Sequence, residues 1–225
     1  MARPFSLGYR SLVAQELDTR FIVIQAAAWI LSVGLHEAGH AYSADRLGDP
    51  TPSIHGRLTL NPFAHLKPVF TAVILPLIFI MSGQGLLGGA WTPIDPAYFK
   101  KPLRDRVLVA LAGPAVNLAL ALFFSGIYLA AGRSLAPGSI YHLLALVMVH
   151  LNLVLVLFNM LPVPGLDGGD VLRYFLGPGA REKFDGLRQY GIIIAILVLS
   201  IPHVREYYFL PIYLYLALIF GAPAS

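Results

Sequence analysis

FIVIQAAAWILSVGLHEAGHAYSA, residues 21–44, is an apolar run of helical length in which His36, Glu37 and His40 stand together. On a helix, positions four apart share a face, so both imidazoles of His36-Glu37-Ala38-Gly39-His40 can reach one metal ion. Glu37 lies beside them, where it can take a proton from water activated by that ion. A catalytic zinc site of this kind has three protein ligands and keeps a fourth position open. Ionisable groups are costly in a bilayer and mark function there by default. Two questions follow: where the third ligand lies, and why such chemistry sits in an apolar segment.

Composition answers the second. The chain has 225 residues, 57% hydrophobic and 12% charged, with mean hydropathy +0.70. Soluble domains carry about 25% charged residues, so this composition predicts an integral membrane protein. There is no cysteine, which excludes disulfides and thiolate metal sites. The net charge of +4 is modest and sits in loops. It argues for membrane orientation and against nucleic-acid binding. Residues 1–20 lack the compact apolar core of a signal peptide. No internal repeat or appended soluble domain is visible. The expectation is one domain over residues 1–225, with a catalytic core at about 21–176 and C-terminal membrane helices at about 188–221.

The first helix is expected over Phe21–Leu47, stopped by Gly48-Asp49-Pro50. Arg57-Leu58-Thr59-Leu60 alternates between Gly56 and Asn61-Pro62 and reads as a strand, either of an ordinary loop hairpin or of one whose edge pairs with an extended substrate. Val69–Met81 is apolar but split by Pro76. At helical rise it reaches about 20 Å, short of the roughly 30 Å hydrocarbon core, and it reads as re-entrant. Val107–Ala131 and Ile140–Met160 are long enough to span, and Tyr190–Ile201 and Tyr207–Gly221 read as two final spans. The predicted fold is an all-α polytopic membrane protein of about five to six membrane helices, with a re-entrant segment and a small β-hairpin near the active site.

Asp167 and Asp170 are the candidate third ligands, in LPVPGLDGGD at residues 161–170, where the helix ending near Met160 breaks. Broken backbone at membrane depth is tolerated where it lines a wet cavity, and such a break can aim a carboxylate at a metal. These aspartates meet the histidines only if the first helix and the 140–160 helix run parallel, which requires that Val69–Met81 does not cross. Eleven Lys and Arg then fall on the side of the site and five on the other. The positive-inside rule places the site nearer the cytoplasmic face. His142 and His150, two turns apart, could line a different site, and His55, His65 and His203 read as packing or loop residues.

HEAGH at 36–40, GPAVN at 113–117 and NMLPVPGLDGG at 159–169 together resemble the site-2 protease family of intramembrane zinc metalloproteases. With GRLTLNPFAHLKP at 56–68, the layout over residues 28–176 is similar to the compact prokaryotic branch that lacks an appended PDZ or CBS domain. The resemblance implies one Zn2+ per chain held by His36, His40 and Asp167, with Glu37 as general base. It implies that Asn117 holds the substrate carbonyl or oxyanion and that Asn159 shapes the site or touches substrate. The implied partners are single-span membrane proteins such as membrane-anchored regulators, in the bilayer of a prokaryotic cell membrane, with the oligomeric state open. Asp170 stands where the family often has a basic or small residue and ranks second as a ligand. Lys67 replaces a frequent Asp before Pro, which leaves a role for neighbouring His65 open. A metal transporter and a catalytically dead scaffold are the rival classes. The first would more often show internal repeats, and the second usually loses a ligand or the glutamate.

Overall fold

The computed structural model describes residues 19–66, 76, 91–131 and 139–221. Three long helices carry the architecture: α1 (Thr19–Arg46), α3 (Pro102–Ala130) and α4 (Ile140–Asn159). Each is long and apolar enough to cross a membrane. Shorter helices follow: the single turn α2 (Thr51–Ile54), then α5 (Asp167–Phe175), α6 (Pro178–Gly186), α7 (Gly191–Ser200) and α8 (Pro202–Phe220).

The bundle buries a polar cluster beside an apolar core and turns apolar side chains outward. Ser32, Asn117 and Asn152 are fully or almost fully buried between the long helices, while Leu118, Leu122, Phe123 and Ile127 of α3 face outward. That distribution suits lipid, where apolar faces need no burial and polar side chains act between helices. Ile24, Ala28, Trp29 and Val33 of α1 pack on Val147, Met148, Leu151 and Leu155 of α4.

Contacts set the helix directions. His40 meets Val109, and Ser32, two turns earlier on α1, meets Asn117, two turns later on α3. α1 and α3 are therefore antiparallel. Asn117 meets Asn152, and Tyr128 meets His142, so α3 and α4 are antiparallel as well. α1 and α4 run parallel, and residues 47–101 begin and end at the same end of the bundle. Val69–Met81, expected to be re-entrant, lies outside the described residues except for Pro76, which is helical and buried.

Two expectations differ from the structure. The strand at Arg57–Leu60, and with it the hairpin, is not formed, and no strand occurs among the described residues. Gly56 takes a left-handed φ of 66°, and the following backbone groups bond locally: Arg57 N–H to Pro52 O, and Thr59 N–H to Arg57 O. The Arg57 guanidinium donates to Ala64 O, and His65 Nε2–H to Thr59 O, closing the loop on itself. The two C-terminal spans are instead one bent pair. Residues 188–200 and 202–220 meet at 92°, as a broken span or a re-entrant hairpin. Pro202 has no N–H to continue α7 and holds Ile201 extended. The ten residues of α7 reach only about 15 Å. The described residues thus contain three candidate spans, or four with this pair. Tyr208 Oη donates to Leu157 O and Tyr215 Oη to Ser125 Oγ, which fastens α8 to α4 and α3.

Candidate metal centre

The i,i+4 spacing on α1 aims both imidazoles at α3. Nε2 of His36 lies 3.0 Å from Nε2 of His40. The Asp167 carboxylate approaches them at 3.3 and 3.4 Å. One ligand atom from each of the three residues lies within 4.8 Å of the others, and both imidazoles are buried.

The second nitrogen of each ring fixes where its proton sits. His40 Nδ1 is 2.7 Å from Val109 O, which can only accept. His36 Nδ1 is 2.6 Å from Asn117 Oδ1, and the Asn117 amide donates to Ser32 O and to Asn152 Oδ1. A neutral ring in either place carries its proton on Nδ1 and turns a bare Nε2 lone pair toward Asp167. Asp167 Oδ2 is itself buried without a hydrogen-bond partner. With both rings neutral, three electron-rich atoms converge with no proton between them, an arrangement that fits a cation. Gly113 of α3 lies directly against these atoms: a Cβ there would overlap Nε2 of His40 and come within 2.6 Å of Nε2 of His36.

Asp167 reaches this point because α4 stops at Asn159 and α5 restarts at residue 167. Gly168 and Gly169 let α5 pack directly on the loop between them, since a side chain at either would strike the carbonyls of Met160 or Val163. Asp170, the rival ligand, is turned away. Its carboxylate pairs with Arg106 at 2.9 Å and with Arg188 at 3.4 Å. This cross-link holds α5 against α3 close to the ligands. Arg173 further clasps Asp185 of α6 through paired hydrogen bonds, which hold the Asp185 carboxyl below its ordinary range.

Glu37 is buried beside the ligands, and Thr92 Oγ1 donates to its Oε2 at 2.7 Å. Thr92 is placed by buried Asp49, whose Oδ2 accepts from Asp95 N–H while its Oδ1 accepts from Thr51 N–H. No motif in the sequence marks Thr92. Replacing it with valine keeps the shape and removes the hydrogen bond, and lowers kcat about 10-fold with zinc content unchanged. Parallel turnover and metal assays check this; an unchanged kcat would show that the carboxylate needs no such support.

The other expected residues lie differently. Asn117 is fully buried with both N–H groups engaged, so its amide addresses His36 and the helix core rather than a substrate carbonyl. Asn159 donates to Leu155 O of its own helix. His65 is buried in the 3₁₀ turn Pro62–His65, and His142 packs against Tyr128 and Phe220; neither joins the metal-competent group among the described residues. Asn152 and Ser32, which complete the shell behind Asn117, were not singled out in the sequence. An amide inside an otherwise apolar span is the signal that marks Asn152.

A helical membrane protein with a His-His-Asp group and an adjacent buried glutamate has the site of a metal-dependent hydrolase. The family model of peptidase family M50 matches residues 24–136 and 126–200. The chain belongs to that family and is a zinc metalloprotease. It is 38% identical to YwhC of Bacillus subtilis over 77% of this chain and 78% of that protein. It is 32% identical to Rip2 of Mycolicibacterium smegmatis and 35% identical to Rip2 of Mycobacterium tuberculosis, each over 85% of this chain and 72% of the relative. All three carry names that describe candidate zinc metalloproteases. No solved structure matches the chain significantly.

Proposed function

We propose that the whole chain is a single intramembrane protease domain that hydrolyses peptide bonds within or at the edge of a substrate's transmembrane helix. The substrates are single-span, membrane-anchored proteins such as membrane-anchored regulators. The observation that carries this reading is the convergence of His36, His40 and Asp167 between apolar helices, beside a buried glutamate.

His36, His40 and Asp167 would hold the zinc. An ion held there would supply an acidified water and a polarised scissile carbonyl. Glu37 takes the proton from the attacking water and returns it to the leaving amine nitrogen. Thr92 occupies Oε2 of Glu37, which leaves Oε1 as the proton acceptor. Asn117 keeps His36 in the tautomer that binds metal. A helical substrate buries its carbonyls in its own hydrogen bonds and must unwind before one can reach the site.

The protein lies in the prokaryotic cytoplasmic membrane as a multi-pass protein. With Val69–Met81 re-entrant, the excess of Lys and Arg falls at the end of the bundle carrying the site, which supports a site nearer the cytoplasm. The return of residues 47–101 to the end they left supports a re-entrant Val69–Met81.

The test is cleavage of a single-span substrate by the detergent-purified protein, with the cut bond mapped by mass spectrometry. We expect a cut inside or at the rim of the span, lost to background on zinc chelation and restored by added zinc. Cuts confined to water-exposed flanks, or cleavage indifferent to chelation, would refute the reading.

A further inference from the structure

We infer that Asn152, backed by Ser32, is a positioning residue that sets the proton on His36 through Asn117. The inference rests on the zinc reading above and adds residues to it that no ligand motif contains. The chain of hydrogen bonds is anchored on two backbone carbonyls that can only accept, Met148 O and Ser32 O. Asn152 Nδ2 donates to Met148 O at 2.8 Å, and also to Ser32 Oγ at 2.9 Å. The Met148 carbonyl fixes the orientation of the Asn152 amide, so its Oδ1 must face Asn117, whose Nδ2 donates to it at 2.8 Å. Ser32 O accepts from the same Asn117 amide at 3.2 Å.

A flipped Asn117 would set its oxygen against Asn152 Oδ1 and Ser32 O, leaving three acceptors with no proton. Ser32, Asn117 and Asn152 are all 0% exposed, so no bulk water can relieve that clash. Asn117 Oδ1 is thereby held toward His36, where it accepts only from Nδ1–H, and Nε2 keeps the lone pair that binds metal. Without the Asn152 oxygen, Asn117 is free to flip and offer N–H to Nδ1. That stabilises the tautomer with the proton on Nε2, which zinc must then displace. The relay therefore links three helices to the protonation pattern of one ligand.

The experiment measures zinc affinity by chelator competition for the full-length, detergent-solubilised protein, together with the ¹⁵N signature of the His36 ring in the zinc-free protein. Asn152→Val removes the acceptor, and we expect zinc binding about 10–100-fold weaker and a His36 ring with Nε2–H populated. Ser125→Ala, which breaks a buried hydrogen bond to Tyr215 away from the relay, is expected to leave affinity unchanged. If Asn152→Val does not fold, Asn152→Ala answers the same question. A folded deletion variant with wild-type affinity and an unaltered His36 ring overturns the relay, and so does equal weakening in Ser125→Ala. Failure of the wild type to bind zinc overturns the metal site itself.

Discussion

Glu37→Gln retains about one zinc per chain and lowers peptide-bond cleavage by about 10²–10⁴-fold, the range that a positioned general acid–base supplies. The substitution is nearly isosteric, and the Thr92 hydroxyl can still donate to the amide oxygen in the place of Oε2. What disappears is a group able to take the proton of the attacking water. His36, His40 and Asp167 keep their geometry because their support comes from Asn117, Val109 and the packing of α5, not from Glu37. Cleavage of a single-span substrate and zinc content, measured on the same preparations, decide the outcome. A transporter using the same ligands has no need of this carboxylate and would be almost insensitive to the change. Wild-type cleavage by the variant would remove Glu37 from the mechanism.

Gly113→Ala is expected to weaken zinc binding about 100-fold and to abolish cleavage with it, through overpacking against the ligand atoms. Gly113 faces the histidines across the α1–α3 contact, and a methyl group there overlaps Nε2 of His40 and crowds Nε2 of His36. These are the atoms that must converge on an ion about 2.0–2.1 Å away. The rings cannot retreat without giving up their hydrogen bonds to Asn117 and Val109. Gly126→Ala on the same helix is the control. It has no neighbour within 4 Å of the added carbon, and alanine favours a helix over glycine. We expect it to keep zinc and activity with unchanged or slightly higher stability. Equal zinc affinity in the two variants would show that Gly113 serves helix packing alone.

The part of the site carried by local periodicity was legible in the sequence. His36, Glu37 and His40 lie within two turns of one helix, so their faces follow from 3.6 residues per turn. Asp167 was legible for a different reason. A short, proline-split segment between the first and second clean spans implied that α1 and α4 run parallel, and that brings the C-terminal end of α1 to the break after α4. The break after the 140–160 helix offered Asp170 as well, and only the family resemblance ranked it second. Its pairing with Arg106 and Arg188 separates it from Asp167, and those partners lie 64 and 18 residues away.

Composition, hydropathy and ligand spacing by themselves determined a helical membrane protein with a histidine pair and a neighbouring glutamate. These follow from properties that each segment carries alone. Tertiary structure decided what depends on distant groups meeting. Arg57–Leu60 alternates like a strand, yet its polar groups bond to Pro52 and Ala64, and no partner strand appears among the described residues. Two apolar C-terminal segments read as two spans, yet a 92° bend at Ile201-Pro202 joins them into one pair. The resemblance implied a substrate contact for Asn117; in the fold its amide donates to Ser32 O and Asn152 Oδ1 and its oxygen faces His36. A hydrogen-bonding side chain in an apolar helix announces that a partner exists, but only packing names the partner, because polar groups buried in a bilayer take whichever donors and acceptors the neighbouring helices bring to them.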